Sequence, residues 1–83
     1  MIPLKFTSNG DRVKIIKING GNSFKRKLSE MGLYIGSDCK IINNIMKGPI
    51  IIEKENYRIG IGFNMSVRIF VKIIDKEENL WKK

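Results

Sequence analysis

One helical segment sits inside a chain that otherwise reads as short strands, and it lies within Ser23 to Ile42, SFKRKLSEMGLYIGSDCKII. Phe24, Leu28 and Met31 recur at i, i+4 and i+7, which puts them on one face of a helix. Asn22 and Ser23 carry side-chain oxygens suited to the first free backbone N–H groups, and Gly20-Gly21 before them marks a turn, so the helix is expected to begin near Ser23. Gly32 stands where a left-handed residue closes a helix, and Leu33 is placed for the apolar contact that accompanies such a closure. A helix of about nine residues does not hold in water unaided, so strands must cover its apolar face. After the turn at Gly36, Asp38-Cys39-Lys40-Ile41-Ile42 changes to a period of two, and the chain returns to strand.

The remaining segments follow strand chemistry. Asn9-Gly10-Asp11 is a turn signal and Arg12 to Ile18 is the first main strand, where adjacent Ile15 and Ile16 break the alternation, as a bulge or a strand covered on both faces would. Leu4 and Phe6 are expected to close one end of the core. Asp38 to Ile45 forms the second main strand with Cys39, Ile41 and Ile45 inward, Ile50 to Glu55 the third, and Arg58 to Gly62 the fourth. Phe63 to Ser66 reads as a short turn. In the last strand, Val67 to Ile74, Val67, Ile69, Val71 and Ile73 alternate with Arg68, Phe70, Lys72 and Ile74. Five short strands at close spacing favour a small antiparallel barrel, because closure removes aggregation-prone edges. The expected fold is mainly β, an SH3-like barrel over residues 1–75 with the helix inserted between its first two main strands, followed by a charged tail over 76–83. A five-stranded OB barrel is the alternative, although its helix falls later in the chain. Phe70 and Ile74 face away from the core, either as an exposed apolar patch of the kind that marks an interface or under a cap of Leu80 and Trp81 from the tail.

With 83 residues the chain has room for one modest core. Its single cysteine, Cys39, allows no internal disulfide, fits a reducing compartment and reads as a small core residue. No run of apolar residues approaches the ~20 needed to span a bilayer. The net charge is +8, which raises a nucleic-acid reading, but the cations are scattered and only Lys25-Arg26-Lys27 is dense. Those three lie early in the helix, where cations oppose the macrodipole.

The chain has no histidine, so a Ser-His-Asp or Cys-His arrangement is excluded, and the carboxylates fall mostly in turns and tail; no catalytic residue is assigned. Glu30, Asp38 and Cys39 are the residues that could gather around a cation, but a lone thiol without histidine is a poor donor set for a borderline metal. No metal or cofactor site is assigned.

Leu28-Ser29-Glu30-Met31-Gly32-Leu33-Tyr34-Ile35-Gly36-Ser37-Asp38-Cys39-Lys40-Ile41 resembles the motif of the FeoA family: leucine, two variable positions, a hydrophobic residue, Gly-hydrophobic, two variable positions, Gly and a strand. Leu28, Met31, Gly32, Gly36 and Ile41 are the positions that carry it. Gly10, Arg12 to Ile15 and Gly20-Gly21 are similar to the family's opening strand, and Met65 to Val71 to its closing segment. The resemblance implies an SH3-like domain of the kind that also ends iron-dependent repressors. It further implies a cytosolic accessory protein of bacterial ferrous iron uptake, whose partner is the FeoB-type permease with its cytosolic G-protein domain. Contact with the membrane would be indirect, through that partner, and no nucleic acid is expected.

On that reading the activity is protein binding at the rim formed by the helix and its following turn. Lys25, Arg26, Lys27 and Glu30 offer charge there, and Leu33, Tyr34 and Ile35 offer apolar anchors of the kind enriched at interfaces. The competing reading is that Leu33 and Ile35 pack onto the barrel with Tyr34 covering them. Two other functions stand as alternatives: a small basic barrel that binds nucleic acid, and a stand-alone regulatory domain of the iron-repressor type.

Overall fold

The computed structural model describes residues 1–75. The chain runs β1 (Ile2–Pro3), a 3₁₀ turn (Leu4–Phe6), β2 (Arg12–Ile18), α1 (Asn22–Glu30), β3 (Asp38–Asn44), β4 (Ile50–Lys54), β5 (Tyr57–Ile61), α2 (Phe63–Ser66) and β6 (Ile69–Asp75). All six strands form one antiparallel sheet in the order β1-β6-β2-β3-β4-β5, an SH3-like arrangement with α1 in the connection between β2 and β3. The strand order ends at β1 and β5, with no ladder joining them among the described residues, so the sheet is open where closure was expected. Leu28 from α1 and Leu33 from the following turn enter one core with Val13, Ile15, Ile41, Ile52 and Val71.

Two bulges decide which side chains reach that core, and a third lies at the end of the β2–β6 ladder. On β2 the register passes from Ile15↔Val71 to Lys17↔Phe70, leaving Ile16 as an extra residue. The inward phase shifts there, so Val13, Ile15 and then Ile18 are buried; of the two readings of the Ile15-Ile16 break, the bulge is the one found. On β3 the register passes from Ile41↔Ile52 to Asn43↔Ile51, so Cys39 and Ile41 face in while Ile45, expected beside them, is exposed. On β6 the step from Val13↔Ile73 to Arg12↔Asp75 makes Ile74 the extra residue; Ile73 keeps the side of its partner Val13, as expected, but near the end of the ladder it is 37% exposed.

Other local expectations are corrected. Gly21, in extended conformation, is the N-cap of α1, and neither Asn22 nor Ser23 makes a capping bond. Leu4 is buried but Phe6 is 68% exposed and does not close the core. Val67 and Arg68 form a turn ahead of β6, where Arg68 lies 4.7 Å over the ring of half-buried Phe24. Capping of Phe70 and Ile74 by Leu80 and Trp81, one of the two readings of that face, lies outside the described residues.

Candidate functional site

The rim begins with the way α1 ends. Gly32 adopts φ +84°, which lets its N–H donate to Ser29 O and the N–H of Leu33 donate to Leu28 O, each at 2.9 Å. This paired closure satisfies the orphan carbonyls of the last turn and sends Leu33 into the core, fully buried. A second turn follows at once. Ser37 N–H donates to Tyr34 O at 2.9 Å, Ser37 Oγ accepts from Tyr34 N–H at 3.0 Å, and Gly36 takes φ +100°. The turn is fastened to β2, since Gly36 N–H donates to Ile15 O at 2.8 Å and Ile15 N–H to Ser37 O at 2.9 Å. With both ends held, Tyr34 and Ile35 are left 53% and 60% exposed.

A groove of about 500 Å³ lies between α1 and this turn, lined by Ile18, Lys25, Arg26, Ser29, Leu33, Tyr34 and Ile35. Of the residues expected at the rim, it gathers Lys25, Arg26, Leu33, Tyr34 and Ile35. Lys27 and Glu30 are exposed on α1 but line no part of it. Leu33 is buried and forms the floor rather than an anchor, whereas Ile35 projects outward, so the two apolar neighbours of Tyr34 have opposite roles. Ile18 is the residue that the sequence pattern did not connect with the rim; the β2 bulge turns it this way.

Tyr34 is also held from behind. Lys54 Nζ sits 5.5 Å from its ring centroid and 3.4 Å from Glu55. Burial pulls the Lys54 pKa down, but Glu55 and the Tyr34 and Tyr57 hydroxyls outweigh it and the net shift is upward. The ammonium therefore stays charged under the ring. The groove itself contributes two cations and no carboxylate, so its chemistry suits an acidic segment with apolar side chains.

The motif positions have structural roles. Leu28 and Ile41 are fully buried, Met31 packs half-buried against the core, and Gly32 and Gly36 both hold positive φ angles. Cys39 is a buried thiol whose pKa is pushed up to about 11, chiefly by burial, with Lys54 opposing and Asp38 adding to the rise. Asp38 pairs with Lys14 at 2.8 Å. Among the described residues no three His, Cys, Asp or Glu side chains converge as a metal cluster, and no helix is long and apolar enough to cross a membrane.

Fold and rim together define a small SH3-like domain with an apolar, basic groove beside the nine-residue helix α1. The model of the FeoA domain matches residues 2–73. A Methanocaldococcus jannaschii protein named for Fe(2+) transport is 38% identical over 72 residues, which cover 87% of each chain. The crystal structure of an iron uptake regulatory protein, FeoA, superposes with a TM-score of 0.83 at 32% identity, covering 88% of this chain and 97% of that one. The chain belongs to the FeoA family of ferrous iron transport accessory proteins. The manganese regulator SloR has the same fold in part of its length, with a TM-score of 0.78 at 14% identity over 88% of this chain and 34% of that one.

Proposed function

We propose that this protein acts in the cytosol by binding the cytosolic portion of an FeoB-type ferrous iron permease, and that it serves iron transport without holding the ion or catalysing a reaction. The observation that carries this reading is the α1 groove, where Lys25 and Arg26 flank exposed Tyr34 and Ile35 on a turn pinned to β2. Aromatic and aliphatic anchors beside cations are the composition of an interface centre and its rim. A pinned turn loses little freedom when it docks, which favours affinity. The buried Cys39 thiol and the lack of histidine support a role through surface rather than through ligand chemistry.

The test is binding of the whole chain to the permease's cytosolic portion, measured with and without guanine nucleotides. Saturable binding that Tyr34→Ala weakens supports the reading; no binding in any nucleotide state overturns it. The net charge of +8 makes nucleic acid the second reading. Affinity for RNA or DNA that falls steeply with salt, in a chain that ignores the permease, would favour it instead.

A further inference from the structure

We propose that a second face, formed by the Leu4–Phe6 turn, the end of β3 and α2, binds an acidic peptide segment of a partner protein, with a Glu or Asp carboxylate meeting Lys5 and an adjacent apolar side chain filling the pocket above it. The pocket has a volume of about 330 Å³ and is lined by Lys5, Phe6, Asn44, Met46 and Phe63, sharing no residue with the α1 groove. Lys5 is only 5% exposed, unusual for a lysine. Its Nζ donates to Ile45 O at 2.5 Å and Gly48 O at 2.8 Å and lies 5.6 Å from the Phe63 ring centroid. These neutral groups hold the ammonium but do not neutralise it. Among the described residues no carboxylate lies within ion-pair distance of Lys5, so one of its three N–H groups and its full charge are unmatched.

The walls add a second mismatch with water. Phe6 and Met46 are 68% and 82% exposed and stand with half-exposed Phe63 around the buried cation. A small inorganic anion would answer the charge but leave these apolar surfaces bare. A peptide answers both. Asn44, which donates from Nδ2 to Lys5 O and Thr7 O at 2.7 Å each, fixes the backbone from which Lys5 reaches the pocket. A carboxylate arriving at a cation already removed from water gains more than at an exposed lysine, whose hydration it would have to replace.

The site is separate from the α1 groove, so the two are tested independently by residue-resolved NMR on the whole labelled chain. The probes are acetyl-Leu-Glu-Leu-amide and the matched acetyl-Leu-Gln-Leu-amide. The glutamate peptide is expected to shift the amides of Lys5, Asn44, Met46 and Phe63 and to bind about tenfold tighter than the glutamine peptide. Lys5→Met should erase that preference. Met46→Ser, a change at the surface that leaves Lys5 and its bonds in place, should weaken the glutamate peptide about fivefold. Equal affinity for the two peptides, or shifts confined to Tyr34, Ile35 and their neighbours, overturns the proposal. Retention on anionic phospholipid vesicles with no response to either peptide also overturns it, in favour of a membrane surface.

Discussion

The phenol of Tyr57 occupies the space that a side chain on Gly32 would need, so the start of β5 meets the end of α1 with no Cβ between them. Gly32 is thus constrained twice, by this contact and by its φ of +84°. Gly32→Ala should lower unfolding free energy by about 1–2 kcal/mol, mostly left-handed strain, with a smaller part from displacing the hydroxyl of Tyr57, which is 42% exposed. Urea unfolding checks the loss. Adding Tyr57→Phe should return the part due to the hydroxyl and leave the part due to φ; full recovery, or none, contradicts this division.

Leu33 and Tyr34 are adjacent in sequence and opposite in role. Leu33→Ala empties a fully buried site and should cost about 2–5 kcal/mol of stability. Tyr34→Ala should change stability by about 0.5 kcal/mol or less, while permease binding falls about tenfold or more if the groove is the docking surface. Paired unfolding and binding measurements separate the two.

Charge reversal distinguishes the faces of α1. Lys25→Glu with Arg26→Glu should weaken permease binding and flatten its salt dependence, whereas Lys27→Glu, outside the groove, should do neither. The first turn of α1 has no acidic residue, so Lys25→Glu should also stabilise the helix by about 0.3–1 kcal/mol. A binding loss shared by all three positions would indicate a response to net charge alone.

Cys39 gives the fold a pH dependence at the alkaline end. Its thiol titrates at about 11 in the folded chain against an ordinary 9.0, so between those values the unfolded chain has lost a proton that the folded chain keeps. Stability from this group is whole below pH 9 and falls as pH rises towards 11, by roughly 1.4 kcal/mol per pH unit inside the window. Lysines and tyrosines titrate nearby, so the comparison is with Cys39→Ala. From pH 8 to 10 wild type should lose about 1 kcal/mol more than the variant; parallel curves would show that the thiol is not desolvated.

What was legible in the sequence is what depends on a few adjacent residues. The closure of α1 needs a left-handed Gly32 and an apolar Leu33, and both requirements are written in their side chains. The fold class followed from strand spacing and from the helix's place between β2 and β3. The sides taken by Ile18 and Ile45 were not legible in the same way, because each depends on an extra residue in a ladder and therefore on a partner strand. The α1 groove divides in the same way: Lys25, Arg26, Leu33, Tyr34 and Ile35 are local to the helix and its turn, whereas Ile18 reaches it through the bulge. Lys5 is the clearest case of the opposite kind. Nothing in Pro3-Leu4-Lys5-Phe6 indicates that the lysine sinks and the phenylalanine stays out, since the acceptors of the lysine lie at Ile45 and Gly48.

The β2–β6 ladder sets when this protein can fold. It joins Val13 to Ile73, residues 60 apart in sequence, while β2, β3, β4 and β5 follow one another along the chain. On the ribosome these four strands and α1 emerge before the strand that pairs with the other edge of β2. Until β6 is released, one edge of β2 is unpaired and Val13 and Ile15 lack the cover of Val71. Pairings this distant place folding at the slow, millisecond-to-second end of small domains. A chain cut or stalled before Ile69 therefore presents an open strand edge beside bare isoleucines, the kind of surface that chaperones and aggregates compete for.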